Sequence, residues 1–137
     1  MKSRILALSL FLILPGCVTP PGQLTREDYN WTTSTYDMSS EVAFRKLNEG
    51  FRRCNDRVAS NYYPDNKTAM FDVFWPRAGF VSTPNDAPVL GKVELREENN
   101  KTILDVGVKK PRFGSGDNGK FYKIWSGYLQ DKYDCWR

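Results

Sequence analysis

Hydrophobic positions along this chain fall into blocks with different periods, and the periods predict the elements. Ser39-Ser40-Glu41 opens the first block, with serine suited to cap free amide N–H groups and glutamate suited to the positive end of a helix. Phe44, Leu47, Phe51, Cys54 and Val58 then recur at steps of three and four, which draws one apolar stripe down a helix. Glu41 with Arg45, and Glu49 with Arg53, place acid before base four residues apart on the other face. Arg52, Arg53 and Arg57 read as the solvated side of that helix, and the stretch from Asn61 to Asn66, with Pro64 and Asp65, is expected to end it.

The period then shortens. Thr68 to Trp75 is rich in strand-forming residues and is stopped by Pro76. Val89, Val93 and Leu95 alternate with Lys92, Glu94 and Arg96, as in a strand with one buried face. After the polar turn Glu98-Asn99-Asn100-Lys101, Ile103, Leu104, Val106 and Val108 resume the alternation, so 88–97 and 102–110 read as a hairpin. Residues 78–87 form a longer connection. Phe121, Ile124, Trp125, Tyr128 and Leu129 return to helical spacing, with Asp117 or Asn118 as the cap and Gly127 as a weak point. Their aromatic and β-branched content would also suit a strand, but adjacent apolar pairs break the alternation and helix is the reading taken. The expected fold is α+β, a small single domain of order α-β-β-β-α. In it a three-stranded antiparallel sheet is covered on one face by two helices.

The first residues follow neither period. Met-Lys-Ser-Arg is basic, and Ile5 to Leu14 is an uncharged apolar run about half as long as a bilayer-crossing helix needs. A basic flank followed by a short apolar core is the pattern of an export signal. It ends in Leu14-Pro15-Gly16-Cys17. Here the chain resembles the bacterial lipoproteins, whose signals end in Leu-small-small-Cys, with Pro15 departing from the commoner Ala or Ser. The resemblance covers residues 1–17 and implies cleavage before Cys17, a diacylglycerol on its sulfur and acylation of the new amine. Each buried methylene contributes about 0.8 kcal/mol, so several chains would hold the protein on a membrane. Val18 in place of Asp after the cysteine implies the outer membrane, with the domain facing the periplasm. Domain boundaries follow: a signal peptide at 1–16, lipidated cysteine and tether at 17–37, globular domain at 38–137. The tether is rich in Pro, Gly, Thr and Ser. Its Tyr29, Trp31 and Tyr36 read either as packing on the flank of the domain or as a strip for a partner.

Three cysteines are present. With Cys17 acylated, Cys54 and Cys135 are the only thiols left, and an exported compartment favours their disulfide. Histidine is absent, which excludes Ser-His-Asp and Cys-His nucleophile systems and His-ligated metal sites. The net charge is +4, of which Lys2 and Arg4 belong to the signal; so small an excess does not suit a nucleic-acid partner. Gly114 to Lys120 matches the G-x-x-x-x-G-K skeleton of a phosphate loop, but Phe121 stands where a Mg²⁺-holding hydroxyl belongs, so no nucleotide is expected. The spacing of a calcium loop is missing around Asp117-Asn118-Gly119. Asn30, Asn66 and Asn100 head glycosylation triplets read as chance. Glu97 and Glu98, adjacent on a strand, point to opposite faces and form no acid/base pair. No cofactor or metal is indicated. Lys109, Lys110 and Arg112 form the densest basic run, a candidate contact for an anionic surface, lipid or glycan, or else a solvated loop. The function expected is that of a membrane-anchored cell-envelope lipoprotein with a non-catalytic binding domain whose partner is an envelope protein or glycan. The alternative is a small exported carboxylate-dependent hydrolase or apolar-ligand carrier.

Overall fold

A computed structural model of the chain describes residues 23–75, 88–111 and 118–135. The sequence-derived assignments at Cys17, Arg112 and Asp117 lie outside these residues. A 3-10 turn, Arg26–Asp28, leads into strand β1 (Tyr29–Tyr36) and helix α1 (Ser40–Arg53). Strands β2 (Arg57–Tyr63), β3 (Thr68–Phe74), β4 (Val89–Glu98) and β5 (Lys101–Lys109) follow, and then helix α2 (Asn118–Tyr128). All neighbouring strands are antiparallel, in the spatial order β1-β5-β4-β3-β2. The α+β class with two helices on one sheet face stands, but the sheet has five strands where three were expected.

Both extra strands are edges, and each was hidden by its edge position. Helices cover the centre of the sheet, so β1 needs no apolar alternation: of its helix-side residues, Asn30, Thr32 and Ser34 are polar, Thr32 is exposed, and Tyr36 at the strand's end packs on the core. Thr, Tyr and Trp still favour a pleated backbone, and eight residues that looked like tether pair in register with β5, from Tyr29 opposite Lys109 to Tyr36 opposite Thr102. For β2, the apparent apolar stripe misled. α1 ends at Arg53, with Cys54 as its C-cap, and Asn55 takes the left-handed conformation (φ 53°) that asparagine tolerates. The chain reverses there, so Val58 belongs to β2 opposite Val73 and not to the helix. Pro64 to Lys67 then forms the β2–β3 hairpin turn and not a helix end.

The remaining elements lie where their periods put them. Asn99 and Asn100 both have positive φ, the requirement of a two-residue hairpin turn, and they join β4 to β5. Ala43, Leu47 and Phe51 of α1, Phe71, Val93, Leu104 and Val106 of the sheet, and Trp125, Tyr128 and Leu129 of α2 close one core. Aromatic rings run through it, from Tyr62 on Phe44 to Phe71, Phe51 and the edge-on Tyr128, with centroids 5.1–5.5 Å apart. The two helices touch at Gly50, where a Cβ would sit 2.2 Å from Cγ of Tyr128, so only glycine admits this crossing.

The start of α1 is fixed twice. Ser39 Oγ accepts a hydrogen bond from the amide of Val42 (3.4 Å). The Glu97 carboxylate accepts from the Ser40 amide (2.9 Å) and hydroxyl (3.2 Å), and from Lys67 Nζ (2.7 Å). Lys67 and the Ser40 amide together hold the Glu97 carboxyl below the usual carboxylate range. As expected, Glu98 points the other way, to Arg96 (3.0 Å). At the far end of α1, Cys54 and Cys135 are joined in a disulfide, their Cα atoms 5.3 Å apart across 81 residues of sequence. That separation is inside the limit of about 7 Å for such a bond.

Candidate functional site

The helices occupy one face of the sheet, and the opposite face carries the polar chemistry. Strand alternation sends Trp31, Thr33 and Thr35 of β1, Ile103, Asp105 and Lys109 of β5, and Lys92, Glu94 and Arg96 of β4 to this side. Thr68, Met70 and Asp72 of β3 and Tyr63 of β2 join them. Register places Glu94 directly opposite Asp105, two carboxylates on neighbouring strands. Like charges so placed repel unless cations intervene. Two guanidinium groups do so. Arg26 reaches from the N-terminal 3-10 turn to Glu94 (2.6 Å) and lies 3.9 Å from Asp105. Arg96 hydrogen-bonds Asp105 from the same strand as Glu94, and Thr33 Oγ1 donates to the other Asp105 oxygen. Asp105 is 2% exposed, so these partners are what make its burial tolerable.

Trp31 roofs this network. Its indole lies over Gly107, where any side chain would collide with the ring at 2.9 Å. The Arg26 guanidinium stacks 4.0 Å from the ring centroid, and Trp31 Nε1–H donates to the Arg26 carbonyl (2.9 Å). Beside it, Leu24, Tyr29, Phe74 and Val89 make a second small apolar cluster at one end of the same face. Burial there, with Asp72, Asp28 and Glu94 nearby, pushes the Tyr29 phenol up to about 12. Of the two readings for the aromatic residues before α1, packing on the domain accounts for Tyr29 and Trp31.

A depression of about 320 Å³ opens on the rest of this face, lined by Thr68, Ala69, Met70, Glu94, Leu95 and Arg96. Met70 is 36% exposed and Tyr63, on the neighbouring edge strand β2, 47%. Apolar side chains flank a polar, cross-linked centre. Sequence reasoning assigned no function to Met70, Tyr63, Arg26 or the Glu94–Asp105 pair. The alternation of β4 and β5 carried the information that the pair shares a face; the participation of Arg26 required the tertiary fold.

Of the basic run, Lys109 ends β5 opposite Tyr29, and Lys110 is tied to the N-terminal turn. Its Nζ donates to the Glu27 carbonyl (2.7 Å) and its amide to the Asp28 carbonyl (2.9 Å). Asp28 is itself held below the usual carboxylate range, first by the Thr25 amide. Among the described residues no cluster of three or more His, Cys, Asp or Glu side chains could hold a metal, and no helix is long and apolar enough to cross a membrane. No protein-family model matches the chain, and no curated protein matches it in sequence.

Proposed function

We propose that this chain is a membrane-anchored cell-envelope lipoprotein, lipidated at Cys17 and held at the outer membrane on the periplasmic side. On this reading its domain works by binding an envelope protein or glycan through the sheet face that carries no helix among the described residues. The observation that carries the binding role is the state of that face. Its cross-strand carboxylates Glu94 and Asp105 are both clamped by guanidinium groups, which favours a rigid polar surface over a proton-transferring pair. Exposed Met70 and Tyr63 border it, the mix of apolar anchor and polar rim that protein interfaces use. The Cys54–Cys135 disulfide suits an oxidising compartment outside the cytoplasm. The lipobox-like Leu14-Pro15-Gly16-Cys17 behind a short apolar core supports the anchor.

Two measurements test this. Labelling with radioactive palmitate should mark the native chain and not Cys17→Ser, which should also leave the membrane fraction or stay unprocessed; label retained by the serine variant overturns the anchor. A photo-reactive residue at Met70 or Tyr63 should cross-link a partner in cells, whereas one at Arg45, on the exposed side of α1, should not. Cross-links from Arg45 alone would move the binding surface to the helices.

A further inference from the structure

From the entry point of the chain we infer that the domain docks on the anionic lipid surface of its own membrane with one particular end. That end is the sheet end where Tyr29, Lys109, Phe74 and Arg57 lie in a row. This rests on the reading of Cys17 as the anchor. Strand register sets the row: Tyr29 pairs with Lys109, Phe74 with Val89 and Arg57 with Phe74. The opposite end of the sheet holds the β4–β5 turn at Asn99-Asn100 and the β2–β3 turn after Tyr63.

The N-terminal segment is fastened to the first of these ends. Leu24 packs with Tyr29, Phe74 and Val89, and the Glu27 and Asp28 carbonyls accept from Lys110. Leu24 lies seven steps along the chain from Cys17, with six residues between them. Seven steps of chain reach at most about 25 Å whatever their conformation. Strand β4 runs from Val89, beside Leu24, to Glu98 at the far turn; its ten residues rise about 30 Å. A domain standing on its far end would lift Leu24 beyond the reach of the tether. The far end therefore cannot face the bilayer, and the near end, where the N-terminal segment joins the sheet, is the one we assign to it.

Its chemistry suits that surface. Lys109, Lys110 and Arg57 sit at this end, balanced by Glu27, Asp28 and Asp56 beside them, and Trp75, 43% exposed, follows the end of β3. Basic side chains meet anionic headgroups, and indole rings partition to the membrane interface. The turns at Asn99-Asn100 and at 64–67 then point away from the membrane.

The test uses the full lipidated protein in vesicles of phosphatidylethanolamine and phosphatidylglycerol. Lysine acetylation rates are read by mass spectrometry against the same chain exported with Cys17→Ser behind a cleavable signal. Lys109 and Lys110 should react several-fold more slowly on vesicles, with Lys67 and Lys101 unchanged. Slowing at Lys67 and Lys101, slowing at Lys92 in the middle of the open face, or equal rates throughout would each overturn the inference. The acyl mass on Cys17 is measured in the same sample. Its absence overturns the anchor and this inference together; an acylated chain without the expected slowing overturns the inference alone.

Discussion

Single residues in this domain are constrained mostly by what lies against them. Gly50 is the clearest case, because the ring of Tyr128 occupies the place of a Cβ. Alanine improves an isolated helix by about 1 kcal/mol, yet here overpacking of about 1–3 kcal/mol works against it. Gly50→Ala should therefore destabilise, and urea unfolding should show a lower midpoint with an unchanged slope. Asp105 is constrained by charge. Removing its carboxylate in Asp105→Ala leaves Arg96 and Arg26 with Glu98 and Glu94 still to pair with. The loss should be about 2 kcal/mol, less than the 3–5 kcal/mol or so for breaking a fully buried pair. Denaturant titration measures it, and a stability equal to that of the native chain would mean that the network contributes nothing.

At the scale of elements, the junction of α1 with the β4–β5 hairpin is the most testable. Glu97 bonds the first turn of α1 and Lys67 of the β2–β3 turn, so one carboxylate ties three elements. Its folded-state pKa is lowered from 4.5, which fixes the sign. The stabilisation is fully present above the unfolded value and is lost as pH falls through the folded one. Glu49 beside Arg53 and Arg52, and Asp131 beside Lys46, shift the same way. The melting temperature should thus hold steady above about pH 5.5 and decline below pH 4.5. Glu97→Gln should be less stable than the native chain at pH 7 and approach it at pH 3, as thermal melts followed by circular dichroism will show. A gap that persisted unchanged at pH 3 would assign the loss to shape and not charge.

For the whole molecule, the disulfide is the largest single covalent constraint. It ties the segment after α2 to the end of α1, beside the stacking of Arg53 on Tyr133. Closing a loop of 81 residues stabilises by about 4–5 kcal/mol in the loop-entropy model, commonly less in practice. A small domain has about 5–15 kcal/mol in all. Reduction should therefore lower the melting temperature by well over ten degrees, or unfold the domain at 37 °C. The unreduced, unfolded protein should show no free thiol from Cys54 or Cys135; two titratable thiols would contradict the bond.

Much of this architecture is written in local patterns. Period 3.6 marked α1 and α2, period 2 marked β4 and β5, and Asn99-Asn100 marked their turn, because each of these elements buries one face in the core. Cysteine arithmetic paired Cys54 with Cys135, since the resemblance at residues 1–17 removed the third thiol and supplied the compartment. Edges were not legible. The largely polar strand β1 and the exposed β2 bury too little of either face to leave an alternation, and Val58 happened to continue the spacing of a helix that Asn55 had already ended. Nor was the site. Glu94 and Asp105 are eleven residues apart in sequence and share a face by hairpin register, but Arg26 comes to them from 68 residues away. No local period encodes that meeting. It is decided only when the N-terminal segment packs its Leu24 on Phe74 and Val89 and its Arg26 on Trp31, a choice made by long-range burial of apolar surface and pairing of charge.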